Sequence, residues 1–150
     1  MHSTNITSAP GTPAVVAVGI EAEPSQLPEY ATSGAAGMDL RADLPEPLTL
    51  APGGRGLVPT GVRIALPEGY EAQVRPRSGL ALRHGLTVLN SPGTVDSDYR
   101  GPVGVILANL GTDPYTVAPG ARIAQLVVCP VARVEWTDIA EAESVTERGG

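Results

Sequence analysis

Residues 103 to 128 read Val103-Gly104-Val105-Ile106-Leu107-Ala108-Asn109, then Leu110-Gly111-Thr112-Asp113-Pro114, then Tyr115-Thr116-Val117-Ala118-Pro119-Gly120, then Ala121-Arg122-Ile123-Ala124-Gln125-Leu126-Val127-Val128. Short apolar runs rich in β-branched residues alternate here with Gly and Pro turn material. That is the signature of strands joined by tight turns. The same rhythm runs through the chain. Pro52-Gly53-Gly54, Pro67-Glu68-Gly69 and Ser91-Pro92-Gly93 separate further short runs. The expected strands are 15–20, 37–42, 48–50, 56–58, 62–65, 70–74, 87–90, 103–109, 115–117 and 122–128, with a last short one at 133–136. Ser78 to His84 reads as a helix, built on Leu80, Ala81, Leu82 and Arg83, with Ser78 as its cap, while Asp138 to Glu143 reads as the start of a solvated tail rather than a helical turn. No internal repeat is visible. The class is all-β: many short strands in a jelly roll or related barrel, with one short helix.

The division along the chain follows. Residues 1–13 are small and polar, with Pro10 and Pro13, and read as a flexible leader. Residues 14–137 form the β domain, and 138–150 a C-terminal arm. A length of 150 residues suits one domain. With 42% hydrophobic residues but only four Tyr, one Trp and no Phe, the core must be built from Val, Leu, Ile and Ala. No apolar run is long enough to span a membrane as a helix, and no secretory signal is present. The single cysteine, Cys129, reads as a buried structural thiol in a reducing compartment, which points to the cytoplasm.

Charge and composition exclude several chemistries. The net charge of −6 argues against nonspecific binding to nucleic acid. There is no Lys, so the Lys-dependent phosphate loop cannot form. His84 is the one histidine outside the leader, which rules out a zinc site of several His or Cys and leaves a Ser–His–Asp system little to use. Every Lys-or-Arg position is Arg, and Arg75, Arg77, Arg83 and Arg100 fall close together. They are either ordinary surface charges or the grip for one small anion.

Four segments carry candidate chemistry. They are Ala36-Gly37-Met38-Asp39-Leu40-Arg41-Ala42, Arg75-Pro76-Arg77-Ser78-Gly79-Leu80-Ala81, Asn90-Ser91-Pro92-Gly93-Thr94-Val95-Asp96-Ser97-Asp98-Tyr99-Arg100-Gly101, and Gly120-Ala121-Arg122-Ile123-Ala124-Gln125-Leu126. Arg77-Ser78-Gly79 joins a cation, a hydroxyl and a residue that permits close backbone approach. It is either a phosphate seat or a capped turn. In the third segment Ser91-Pro92-Gly93 suggests a tight hairpin. Asp96 there is either a general base toward water or part of a solvated acidic turn. In a regular strand Asp96 and Tyr99 would face opposite ways, so they share a site only if the backbone leaves β geometry.

Taken together, the four segments resemble the first four motifs of the trimeric all-β deoxyuridine triphosphatase (dUTPase) family in type, order and spacing. The Gly93-to-Gly101 string is the most specific. The resemblance implies a jelly-roll, β-clip-like subunit, a homotrimer with active sites between subunits, and hydrolysis of dUTP to dUMP and pyrophosphate by water attack at the α-phosphorus. Such an activity limits uracil incorporation into DNA and supplies dUMP for thymidylate synthesis. By position, Asp96 resembles the base. Arg77, Ser78, Gly79 and Gln125 resemble the phosphate contacts. Asn90, Gly93, Thr94 and Val95 resemble the uracil pocket, and Tyr99 the residue under the deoxyribose. Mg²⁺ is expected on the triphosphate with no direct protein ligand. Asp39 is either in the second shell of that ion or in a structural hydrogen bond. The family's fifth motif begins Arg-Gly and carries an aromatic lid. Here Thr146-Glu147-Arg148-Gly149-Gly150 matches its start, Arg148 resembles a γ-phosphate contact, and a missing lid predicts reduced turnover. Two other readings remain open: a dCTP deaminase of related fold, and a nucleotide-binding regulator with weak catalysis.

Overall fold

The computed structural model describes residues 15–143. The leader 1–13 and Arg148 lie outside them. The described chain folds into three antiparallel sheets. A four-stranded sheet has the order β1 (Gly19–Glu21), β5 (Arg55–Ala65), β9 (Pro102–Asn109), β7 (Leu86–Val88). A five-stranded sheet has the order β2 (Glu29–Tyr30), β3 (Met38–Arg41), β11 (Arg122–Pro130), β6 (Tyr70–Pro76), β8 (Gly93–Val95). The small third sheet pairs β10 (Tyr115–Val117) with β4 (Leu48–Leu50). This is the jelly-roll architecture expected from the turn rhythm.

Alternation drives the packing. Along β5, Val58, Thr60, Val62 and Ile64 are buried while Leu57, Pro59, Gly61 and Arg63 are exposed. Val103, Val105 and Leu107 of β9 meet them, and Leu40, Ala72, Val74 and Leu126 close the core from the five-stranded sheet. The core contains no aromatic residue among the described residues. Each fully buried Val or Leu contributes about 1.5–3 kcal/mol.

The strands expected at 56–58 and 62–65 are not separate. They form one, with a register slip between Pro59 and Val62 that keeps both halves paired with β9. At the slip Gly61 takes φ +69°, a left-handed conformation that glycine tolerates, and a Cβ there would meet Asp43 Oδ2 at 2.9 Å. The buried Thr60 hydroxyl donates to Val103 O at 2.6 Å and so replaces a lost ladder bond. Asn109 closes the far end. It is fully buried, donates to Leu50 O and Asp113 O, and accepts from Gly111 N.

The expected helix is present as α1 (Ser78–His84), but its cap differs. Arg77 holds the N-cap position, and no side chain caps the helix. Its other end stops at Gly85, whose left-handed φ of 67° turns the amide back to Ala81 O. The first strand begins only at Gly19, and no strand forms at 133–136, where Trp136 is 91% exposed. That segment pairs with no strand among the described residues. The short β2 and β8 were not anticipated, being two and three residues long. Ile139–Glu143 forms a short exposed helix, α2, at the start of the arm. Cys129 is half-buried rather than buried, since it lies opposite Glu71 on the outward, polar row of the five-stranded sheet. No helix among the described residues is long and apolar enough to cross a membrane.

Candidate active site

The candidate residues fall into two groups, one where β6 runs into α1 and one along β8, whose Asp96 reaches the other end of β6. The first group sits where β6 runs into α1. Gln125 of β11 is paired with Asp39 of β3 on one side and with Arg75 of β6 on the other. These three side chains therefore form a row across three strands. Asp39 is buried and carries a charge, so it needs partners. It has two: Arg77 Nε lies 3.8 Å from Oδ1, and Arg122 Nη1 lies 3.5 Å from Oδ2. Arg77 Nη1 also donates to Arg122 O at 2.9 Å. The guanidinium of Arg77 is thus held from two sides just ahead of Ser78. Gly37 is packed on Gln125, where a Cβ would lie 3.1 Å from that of Gln125.

Gly79 follows the exposed Ser78, and the Arg83 guanidinium lies directly over it, 3.1 Å from where a Cβ would stand. Arg77 and Arg83 therefore flank the first turn of α1, and Arg122 reaches Asp39 beside Arg77. From sequence Arg83 stands only among the clustered arginines, and Arg122 only within the fourth segment. The signal for Arg83 was its i,i+4 spacing from Gly79 on a helix face.

The second group follows β7. The expected tight turn is present, with Ser91 N donating to Val88 O at 3.1 Å and a cis Ser91–Pro92 bond. It does not close a paired hairpin. β7 pairs with β9, whereas β8 pairs with β6, so the turn carries the chain from one sheet to the other. Gly93 is buried between Asn90 and Val74, and a Cβ there would approach Asn90 Nδ2 to 3.3 Å. Val95 is buried and Thr94 exposed, as alternation requires. β8 then ends. Tyr99 N donates to Asp96 O at 3.1 Å, so residues 96–99 form a turn and leave β geometry at the point where a shared site needs them to. The Tyr99 hydroxyl donates to Pro102 O at 2.8 Å, with Gly101 under its ring.

Asp96 is exposed and lines an open cleft of about 1190 Å³ together with Ser97, Asp98 and Arg100. Glu71 of β6 and Arg133 line it as well. Val95 pairs with Ala72, so Asp96 stands level with Glu71, while Arg77 lies past the other end of β6. At ~3.3 Å per residue Asp96 and Arg77 are roughly 20 Å apart along the strand, whereas Gly93, level with Val74, lies nearer to Arg77. The structure therefore brings together Asp39, Arg77, Ser78, Gly79 and Gln125. It separately brings together Asn90, Gly93, Thr94, Val95, Asp96 and Tyr99. It does not bring Asp96 to Arg77 within the chain.

The dUTPase family model matches residues 23–149. A deoxyuridine 5'-triphosphate nucleotidohydrolase of Roseobacter denitrificans is 60% identical over 124 residues, covering 82% of this chain and 81% of its own. One of Anaeromyxobacter is 57% identical over 141 residues, covering 94% and 95%. Among solved structures, the dUTPase of Streptococcus mutans superposes with a TM-score of 0.71 at 28% identity, covering 79% of this chain and 99% of that one. The G164S mutant of the dUTPase of Staphylococcus bacteriophage 80alpha, with dUpNHpp, gives 0.75 at 25% identity, covering 89% and 94%.

Proposed function

The chain belongs to the dUTPase family and hydrolyses dUTP to dUMP and pyrophosphate, and from that premise we propose that it does so in sites shared between subunits of a homotrimer. The observation that carries this reading is the spacing along β6. A base must lie within hydrogen-bond reach of the water it activates, directly or through one more water. Arg77 and Asp96 are roughly 20 Å apart along β6 of one subunit, too far for one nucleotide's α-phosphate to meet both. A site formed by the Asp96 end of one subunit and the α1 end of another resolves the conflict. The chemistry belongs to the β domain of residues 14–137, with Arg148 of the arm as a γ-phosphate contact.

Within that site each residue has a task. The uracil edge meets backbone groups of Gly93, Thr94 and Val95 and the Asn90 amide, which fit uracil and leave cytosine mismatched. Tyr99 lies under the deoxyribose, pinned by its bond to Pro102 O. From the other subunit, Arg77, the Ser78 hydroxyl, the Gly79 amide and Gln125 hold the phosphates. Asp96 orients a water and takes its proton. The oxygen–phosphorus bond forms at the α-phosphorus as the bond to the bridging oxygen breaks, and pyrophosphate leaves with the electron pair.

The family reading includes Mg²⁺ carried on the triphosphate. Its fit rests on Asp39, whose contacts to Arg77 and Arg122, at 3.8 and 3.5 Å, are ion pairs too long for hydrogen bonds. With its oxygens left free of close hydrogen bonds among the described residues, the carboxylate would be able to accept from water around such an ion while staying paired with Arg77 and Arg122. When bound, the ion offsets charge on the phosphates. No cluster of three or more His, Cys, Asp or Glu suited to a metal occurs among the described residues. The half-buried lone thiol suits a cytoplasmic setting.

The test is pyrophosphate release from dUTP and ammonia release from dCTP, with and without Mg²⁺, alongside native mass. Pyrophosphate from a trimer, stimulated by Mg²⁺, is the expected result. Ammonia from dCTP would make the protein a deaminase, and a fully active monomer would end the shared-site reading.

A further inference from the structure

We propose that Arg63 is a positioning residue that holds the Asp96 turn in working geometry from the neighbouring sheet. The inference rests on the reading of Asp96 as the base. Arg63 sits on β5 between two strands, opposite Glu21 of β1 and Pro102 of β9. Pro102 is where the turn re-enters the sheet, and it has no N–H to give. Arg63 supplies a donor there with its side chain: Nε donates to Arg100 O at 2.9 Å. Arg100 in turn folds back over the turn, and its Nη1 donates to Ser97 O at 2.7 Å and Tyr99 O at 2.9 Å. With Tyr99 N on Asp96 O, the carbonyls of residues 96, 97, 99 and 100 all have partners. Glu21 steadies the outer end of Arg63, 3.6 Å from Nη1.

Exposure separates this role from a stabilising one. The Arg63 and Glu21 side chains are 51% and 78% exposed, and pairs of that kind add little to folding. A short turn on the surface is different. No core packs against Asp96, so its aim depends on the few bonds that fix the turn. A small misplacement of a catalytic group lowers rate far more than it lowers stability. Arg63 touches no proposed ligand group, and it acts through Arg100 and the turn.

The test uses the full chain with Arg63→Met, Arg63→Lys, Glu21→Gln, Asp96→Asn and the Asp96→Asn/Arg63→Met double variant. Steady-state pyrophosphate release and thermal midpoints are measured for each. Arg63→Met is expected to lower kcat about 3- to 10-fold, the worth of one such hydrogen bond, with KM for dUTP changed less than about twofold. Its thermal midpoint stays at the parent value. Arg63→Lys keeps a donor and recovers more than about half of kcat, and Glu21→Gln costs less than about twofold. In the Asp96→Asn background the Met substitution has no further effect. An unchanged kcat in Arg63→Met overturns the proposal. So does a loss matched by a fall in thermal midpoint, no recovery with Lys, or a further loss in the double variant. If Asp96→Asn alone retains full turnover, the base assignment has failed. If Asp96→Asn is inactive while Arg63→Met is unaffected, only the tether has failed.

Discussion

Two inactive variants, mixed, should make an active enzyme. Asp96→Asn removes the proposed base and is expected to lower turnover about 10²- to 10⁴-fold. Arg77→Ala removes the proposed phosphate fork from the other end of β6. The register places these residues roughly 20 Å apart in one subunit. A site that needs both must therefore draw them from different chains. When the variants are co-refolded in equal amounts, chains assort at random. A site is intact when its Asp96 comes from an Arg77→Ala chain and its Arg77 from an Asp96→Asn chain. In a symmetric closed oligomer that holds for about a quarter of sites. Pyrophosphate release should rise from near zero to about a quarter of the parent rate. Asp39 remains paired with Arg122 when Arg77 is lost, so the fold should survive, and native mass checks assembly. No recovery in properly mixed oligomers would refute the shared site.

Arg77→Lys should raise KM for dUTP about tenfold or more, because an ammonium cannot both reach Arg122 O and grip phosphate as a fork, and steady-state kinetics would detect it. Gly101→Ala should lower the preference for dUTP over UTP about tenfold. The new methyl group would stand 2.5 Å from the Tyr99 hydroxyl and push the ring off Pro102 O, and comparing kcat/KM for the two nucleotides checks it. Leu107→Ala should cost about 2–5 kcal/mol, read from urea unfolding, since Leu107 is fully buried at the centre of β9.

Much of the fold was legible because the signals were local. Turn residues stood between apolar runs, so β4 and β10 were located residue for residue, and α1 matched 78–84. The errors arose where distant residues decide the outcome. The runs 56–58 and 62–65 look separate along the chain, yet pairing with β9 carries β5 through both, with Thr60 bonded to Val103 at the slip. The segment 133–136 has strand composition but lacks a neighbour to pair with. Ser78 has the chemistry of a cap, but Arg77 occupies the position. Ser91-Pro92-Gly93 has the composition of a hairpin, and the chain uses it to change sheets.

Residue order alone determined the all-β class, the aromatic-free core, the exclusion of Lys- and His-based chemistry and the four segments that name the family. Those properties depend on composition and on spacing along the chain. Tertiary structure alone decided which candidates stand together. Pairing between strands distant in sequence set Asp39 beside Arg77 and Arg122, and sent Asp96 to the far end of β6. It also brought Arg63 to the carbonyl of Arg100. Sheet register is a long-range choice made by the burial of whole faces, and no short stretch of sequence contains it.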